Sequence, residues 1–566
     1  MARTPLGDLL DHLLALQHVS RRTGIPTDEL SDVWAERAAQ APVRIDRRDF
    51  LRTAGRFGTA AALATPALAA LAACTPVAKQ GPPAGSPGAT GGGRDGPRIA
   101  IVGAGLAGMT AALRLHQAGF SSTVYEASER AGGRTRTLRG FFDNDETAEL
   151  CGEYINSDHK AIRSLAAELG LMEDNLWSYY PRGVHGLLYF DGKPYSHQDM
   201  AADLEEVFPK ILEDRLAAGW PTTYDTSTPA GVKLDNTTLA EWVERNVPGG
   251  RKSRFGKLIE VGYAGEYGLD IEDQSSLNLM FEAGFSSKNN PRLYGNQDWK
   301  WRIAGGNDLV ATTIADDQLP AGTVELGSPL VAVRRNGDET TTLTFEPDGG
   351  SPTDVTADIV VMTAPFTALR AVDLDKAGWS ELKRKTINEL GMGTNSKLHL
   401  QFDEQVWHAS HLSGDVVCDL PIQSLTVVYP IHGSTGILDN YTGGTAGASY
   451  PVSASHAPAP EAVSQAALKD IEVLIHGATE AWNGKAYLSF MVADPWALGS
   501  YSCPTPGEYS TIFGAAKLPE GKVLFAGEHT SLNFFGFMNG AVETGERAAR
   551  EALATMGAQV PASPAA

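Results

Sequence analysis

The sequence predicts an α/β protein of two domains, the first of them discontinuous in the chain, and three observations carry that expectation. The chain has 566 residues, more than a single hydrophobic core ordinarily serves. Near its hundredth residue, an apolar strand, a glycine-rich turn, a helix and a second strand follow one another in the order of a βαβ unit. Two much later apolar runs, Ile359 to Met362 and Val523 to Ala526, each flow into Pro or Gly and read as buried strands of the same sheet.

Taken from the start, residues 1–46 form an N-terminal extension in which Leu9, Leu10, Leu13 and Leu14 stand at helical spacing. Asp46-Arg47-Arg48-Asp49-Phe50-Leu51-Arg52 then precedes an alanine-rich apolar stretch, from about Ala60 to Ala73, that contains Pro66 and is too short to cross a bilayer. A paired arginine, an apolar run and a small-residue exit at Leu71-Ala72-Ala73-Cys74 resemble, over 47–74, a twin-arginine export signal with a lipoprotein cleavage box. The expectation is an extracytoplasmic protein with a lipid anchor at Cys74; the alternative is a buried alanine-rich helix. Residues 75–97 are mostly Gly, Pro, Ala and Ser, the composition of a flexible tether.

Lys plus Arg total 47 against 68 Asp plus Glu, a net charge of -21. No basic stretch interleaved with aromatics interrupts that balance, which argues against a nucleic-acid partner. Cys151, Cys418 and Cys503 lack CxxC or His-rich spacing, so neither a metal site nor a disulfide framework is implied.

The βαβ unit carries the first site. Gly103-Ala104-Gly105-Leu106-Ala107-Gly108 joins the strand Ile99 to Val102 to a helix from Leu106 to Gln117. In such a turn the first glycine allows the bend, the second lets backbone approach a pyrophosphate, and the third lets the helix pack on the sheet. The phosphates then lie at the positive helix end. The second strand, Thr123 to Glu126, ends on a carboxylate about 20 residues beyond the turn, where it accepts from ribose hydroxyls and repels a 2'-phosphate.

The continuation Glu126-Ala127-Ser128-Glu129-Arg130-Ala131-Gly132-Gly133-Arg134-Thr135 resembles the FAD-binding segment of the flavin amine oxidases. So do Phe525-Ala526-Gly527-Glu528-His529-Thr530-Ser531 and the run from Gly536 through Met538 to Ala549. Arg302 to Asn307 and Pro329 to Val333 extend the likeness, which spans about Arg98 to Leu553. It implies a Rossmann-like FAD domain assembled from 98–172, 301–366 and 497–557, with a substrate domain of helices over a mixed sheet from 173–300 and 367–496. It also implies that FAD is held by Gly103, Ala104, Gly105, Gly108, Glu126, Ala127 and Arg134, by Gly152, Glu153 and Tyr154, and by Leu330, Glu528 and Met538. A helix starting at Met538 would set its N–H dipoles against the charge of reduced flavin.

By the same resemblance Lys397, in Gly393 to Phe402, holds a water beside the flavin, while Tyr501 and Phe537 form aromatic walls that align the substrate. Ser500 stands where monoamine oxidases carry a flavin-bonding cysteine, so FAD is expected to be non-covalent unless Cys503 takes that role. Tyr154 stands where many L-amino acid oxidases carry a carboxylate-binding arginine, which leaves Arg182, Arg292 and Arg302 as candidates. The implied reaction takes a small amine or amino acid and oxygen to imine and peroxide, then to carbonyl product and ammonia. L-amino acids stand slightly ahead of mono- or polyamines, and the protein is a homodimer or a monomer. A non-catalytic flavin-fold binding protein and an enzyme acting on carbon-carbon bonds are the rival readings.

Overall fold

The computed structural model describes residues 96–559 except 288, 289, 348 and 432. The N-terminal extension, the export-signal reading, Cys74 and all but the last residues of the Gly/Pro tether lie outside the described residues.

The first sheet is parallel, with strands in the order Val523–Phe525, Ile359–Met362, Ile99–Val102, Ser122–Tyr125 and Val324–Glu325. Segments from four distant parts of the chain therefore meet side by side, and Ile99 lies opposite both Ile359 and Ser122. Alternation of side chains along a strand divides the two faces. Ile99 and Ile101 pack with Leu106–Gln117, Lys160–Glu168 and Met538–Thr555. Ala100 and Val102 pack the other way, with Val333, Leu343 and Phe345 of a three-stranded meander made by Leu330–Arg335, Thr341–Phe345 and Thr353–Ala357. Tyr125 stacks on Phe345 with centroids 4.3 Å apart, which fixes the meander over the second strand.

That strand stops one residue short of Glu126. The Glu126 backbone still bonds to Glu325 O, while its side chain turns back to the glycine turn and accepts from the Ala104 N–H at 2.6 Å.

The second sheet is mixed and eight-stranded, in the order His456–Pro458, Trp482–Phe490, Ser396–Phe402, Gly436–Thr442, Ser424–Val427, Leu412–Cys418, His185–Phe190 and Lys193–Pro194. Its neighbours are antiparallel except Leu412–Cys418 and His185–Phe190. The helices His197–Ala218, Leu239–Asn246 and Arg254–Tyr267 close its core. Ser196, Thr238 and Ser253 cap them, each side chain accepting from a first-turn N–H. Ser396–Phe402 is buried along its whole length between Gly436–Thr442 and Trp482–Phe490. A lysine in such a strand cannot reach solvent, and Lys397 must find its partners inside the protein. No described helix is long and apolar enough to cross a membrane.

Candidate active site

The turn after Ile99–Val102 works through close approach. Gly103 has φ 100°, and a Cβ on Gly108 would lie 1.9 Å from the Gly103 carbonyl oxygen, so a side chain there would push the helix away from the turn. The second glycine pair lies directly on the first: Gly132 N–H donates to Ala104 O at 2.9 Å, and Gly105 and Gly132 form a parallel bridge.

Together these turns wall a cavity of about 630 Å³, within the range of cofactor sites. Gly103, Gly105, Glu126, Ala127 and Arg134 line it, as do Leu330 from the meander and Glu528, Phe537 and Met538 from the C-terminal segment. Ala104 and Gly108 lie behind the wall; their part is to shape the turn. Met538 opens the helix Met538–Thr555 and points the free N–H groups of its first turn at this space. Arg130 and Thr363 also line it, and sequence reasoning assigns neither a role of its own. Arg130 donates to the Ala131, Gly133 and Thr135 carbonyls, holding the second glycine turn from within. Thr363 ties the next strand to the first turn through Val102 O and Gly103 O.

Opposite the glycine turns, Arg134 donates to Glu528 and to the Ser500 carbonyl, both at 3.0 Å. Glu528 also accepts from Ser502 N–H, Ser502 Oγ and Gly536 N–H. Burial alone would raise its pKa, but the Arg134 guanidinium, His529 and these donors hold the carboxyl at about 2. An ionised Glu528 therefore ties three segments together at the wall of the cavity.

Gly152, Glu153 and Tyr154 do not line this cavity. Gly152 bonds instead to Arg134 O and to the Asn307 amide, whereas Glu153 faces the second sheet, where the Lys397 ammonium donates to Glu153 and to the Glu149 carbonyl and lies 3.1 Å from Asp439. Burial works against that charge, but Asp439 and Glu153 outweigh it and keep Lys397 protonated well above its ordinary range. Asp439 arises from sheet register. Lys397 lies opposite Tyr441, and Asp439, two residues along, shares its face.

Beyond Glu153 lies a second, small cavity of about 30 Å³. Its walls are aromatic and acidic: Tyr154, Trp177, Tyr180, Trp299 and Tyr429 with Glu153 and Asp415. Asp415 is 4 % exposed and accepts from Tyr180 Oη, Ser413 Oγ, Thr426 Oγ1 and Val427 N–H. All four donors are neutral, and burial pushes this carboxyl up to about 6.

Tyr501 and Phe537 do not form a facing pair: Phe537 lines the large cavity and Tyr501 lines neither cavity. Phe537 packs edge-on against His159 at 4.9 Å. Tyr501 is fully buried, with its hydroxyl within hydrogen-bond distance of Gly265 O, Glu266 O and Tyr441 Oη. Ser500 Oγ donates to Asn395 Oδ1 at 2.6 Å. The described cysteines form no disulfide with one another, and none lines the large cavity. Of the three arginine candidates, Arg182 is exposed and Arg292 half-buried, whereas Arg302 is 2 % exposed and its Nε has no hydrogen-bond partner among the described residues.

A parallel sheet covered on both faces, paired glycine turns and an acid at the second strand's end define a dinucleotide-binding fold. The model of the flavin containing amine oxidoreductases matches residues 106–553, and the chain belongs to that family. It is 24% identical over 485 residues to an L-amino-acid oxidase of Sistrurus catenatus edwardsii, covering 80% of this chain and 86% of that protein. To L-amino acid oxidase Bs29 of Bothriechis schlegelii it is 25% identical, covering 80% and 89%. Putrescine oxidase solved with putrescine bound superposes with a TM-score of 0.67 at 21% identity, covering 81% of this chain and 99% of that one. Cyclohexylamine oxidase from Brevibacterium oxydans IH-35A gives the same TM-score at 19% identity and the same coverage. The chain is an FAD-dependent oxidoreductase acting on amino compounds, and the glycine cradle, the helix end at Met538 and the carboxylate of Glu126 suit FAD.

Proposed function

We propose that this protein oxidises the C–N carbon of a small cationic amine, with oxygen as final acceptor, giving imine and peroxide and then carbonyl product and ammonia. The observation that carries the reading is the charge around Lys397: one buried ammonium between two carboxylates, next to an aromatic cavity that no lysine, arginine or histidine lines among the described residues. Such a space favours an ammonium and repels a carboxylate. FAD held in the large cavity would supply a two-electron acceptor for the substrate hydride. Lys397 donates to Glu149 O and Glu153 and lies 3.1 Å from Asp439, so its contribution to imine hydrolysis is a fixed positive charge that orients the attacking water. Phe537 excludes bulk solvent from the cofactor cavity and Tyr501 braces the segment that carries Ser500. Gly103, Glu126, Arg134, Leu330, Glu528 and Met538 hold the cofactor without a covalent bond.

A second reading, L-amino acid oxidation, is favoured by the names of the relatives and by Arg302, whose buried guanidinium would suit a substrate carboxylate. A peroxide assay over panels of amines and L-amino acids, with anaerobic flavin bleaching, separates them. Bleaching by amines is expected; bleaching by L-amino acids alone would overturn the amine reading. Arg47-Arg48, the apolar run and Cys74 support export by a twin-arginine route with a lipid anchor. The same assay on cell fractions should then find Arg47→Lys/Arg48→Lys protein retained inside, and unchanged external activity would refute that route.

A further inference from the structure

Beside the Lys397 cluster lies Glu149, a buried acid whose hydrogen bonds are all to neutral groups. It is 0% exposed, and its peptide carbonyl accepts from the Lys397 ammonium at 3.1 Å. Its carboxyl turns the other way, across the short strand pair Thr137–Leu138 and Ala148–Glu149. There Oε1 accepts from the Asn307 N–H at 3.0 Å, and Oε2 lies 2.9 Å from Thr137 Oγ1. Thr137 Oγ1 also lies 3.0 Å from Asp308 Oδ1. Two carboxyl oxygens thus contact one hydroxyl, which has a single hydrogen to give. Both contacts are hydrogen bonds only if one of the two acids carries a proton. Asp308 meets the Arg139 guanidinium through both its oxygens, at 2.7 and 3.0 Å, and accepts from the Thr137 N–H, which hold it ionised against its burial. The proton therefore belongs to Glu149, which donates to Thr137 as Thr137 donates to Asp308.

The surrounding charges agree. Glu149 faces Arg302 on Trp301–Ile303, Asp308 at the head of Leu309–Thr313 and Glu153 on its own segment. Lys397 reaches only its carbonyl, with Asp439 and His399 behind. Burial, with Asp308 and Glu153, outweighs Arg302 and the Asn307 N–H and pushes the carboxyl up to about 7.

We infer that Glu149 is a positioning residue for Lys397: held protonated, it fixes the segment 149–153 that offers the lysine both the Glu149 carbonyl and the Glu153 carboxylate. Asn307 carries the coupling, because its N–H holds the Glu149 carboxyl while its side-chain amide donates to Gly152 O and Glu153 O at 3.0 and 2.6 Å. Loss of the proton leaves two carboxylates competing for the Thr137 hydrogen and adds a third negative charge near one ammonium, which loosens that clamp. The way out is a relay: the Glu149 proton passes to Thr137 Oγ1 as the Thr137 hydrogen passes to Asp308, from which water takes it beside the exposed Arg139. The inference deepens the reading of Lys397 given above and rests on it for the effect on turnover, though not for the proton on Glu149.

The test compares wild-type holoenzyme with Glu149→Gln, whose amide can donate to Thr137 and accept from Asn307 as a protonated carboxyl does. The infrared difference between the two should contain a protonated-carboxyl C=O band that fades as pH rises through about 7. Subtraction removes the bands of Asp415 and other buried acids. The kcat for a saturating amine, as the ratio of wild type to Glu149→Gln, should fall about fivefold over the first unit above 7. Taking the ratio cancels the titration of the substrate. Thr137→Ser, which keeps the hydroxyl, should follow wild type. Absence of the band would overturn the inference whatever the kinetics, and so would failure of Glu149→Gln to fold, because the amide reproduces the bonds of a protonated acid. A band that titrates while the kcat ratio stays flat would overturn the positioning role. Wild-type turnover in Lys397→Met would instead sink the reading of Lys397, and the effect on kcat with it, while the infrared band reports on Glu149 alone.

Discussion

Arg134 with Glu528 and Lys397 with Glu153 and Asp439 are both buried charge clusters, but they are built on opposite balances. At the cofactor wall one guanidinium meets one carboxylate, and backbone and serine donors satisfy the rest of the acid. On the second sheet one ammonium serves two carboxylates, and Asp415 beside them has no cation among the described residues. A balanced pair can stand without a ligand, because its desolvation cost is offset within the protein. An acid surplus cannot be relieved that way, and a cationic ligand is the direct relief. The two cavities are therefore prepared for different occupants: the first by shape and backbone dipoles, the second by charge.

The largest effect is expected from removing the ammonium between Glu153 and Asp439. Lys397→Met leaves Glu153 and Asp439 facing each other in a dry interior, and the loss of one partner from such a group costs about 3–5 kcal/mol. FAD should stay bound, because its cavity is walled by other residues. Turnover should fall by orders of magnitude, with the deficit in reoxidation of the reduced flavin as well as in imine release. Calorimetric unfolding gives the first quantity and anaerobic and aerobic stopped-flow the others. Wild-type bleaching and reoxidation rates in this variant would leave Lys397 as a counter-ion without a catalytic part.

The matching change on the cofactor side is Glu528→Gln. Arg134 keeps the Ser500 carbonyl but loses its charge partner, so flavin retention through gel filtration should drop by roughly ten- to hundredfold in Kd. Substrate preference should not move, because Glu528 does not line the small cavity. A change in the relative kcat/KM of two amines here would mean that the two cavities are not energetically separate.

The smallest effect is in pH dependence, where the clusters have opposite signs. Glu528 is depressed to about 2, so its contribution to stability is fully present above the ordinary Glu pKa of about 4.3 and is lost as pH falls through 2. Asp415 is raised to about 6, so its contribution is fully present below the ordinary Asp pKa of about 3.9 and is lost as pH rises through 6. Wild-type protein should therefore gain about 2 kcal/mol relative to Asp415→Asn between neutral pH and pH near 4. Thermal melts of the two proteins across that range check it; parallel curves would mean that Asp415 is already ionised.

Much of the cofactor side is legible in the amino-acid sequence. The turn from Gly103 to Gly108, Glu126, Arg134, Glu528 and Met538 stand in local runs whose spacing carries their chemistry, and the cavity gathers them or is shaped by them. The strands Ile359–Met362 and Val523–Phe525 read as buried because their apolar runs have no polar face. Glu153 and Tyr154 are less legible. Resemblance places them with the cofactor residues; in the structure Glu153 meets Lys397 and both residues line the aromatic cavity, contacts made by segments far apart in the chain. Asp439 and Asp415 carry no signal: each is a single acid inside an apolar strand, in a chain with 68 acidic residues.

By itself, then, the sequence determined the βαβ unit, its dinucleotide chemistry, the likeness to a flavin family and the lysine strand, all of which depend on residues within a turn or two of one another. Only the tertiary structure decided that Lys397 has two acids and that Asp415 has no cation among the described residues. Those facts depend on strand register, since a shift of one residue in Gly436–Thr442 would move Asp439 to the opposite face of the sheet. Register is set by packing over the whole sheet, and that summed energy is not written at any one position.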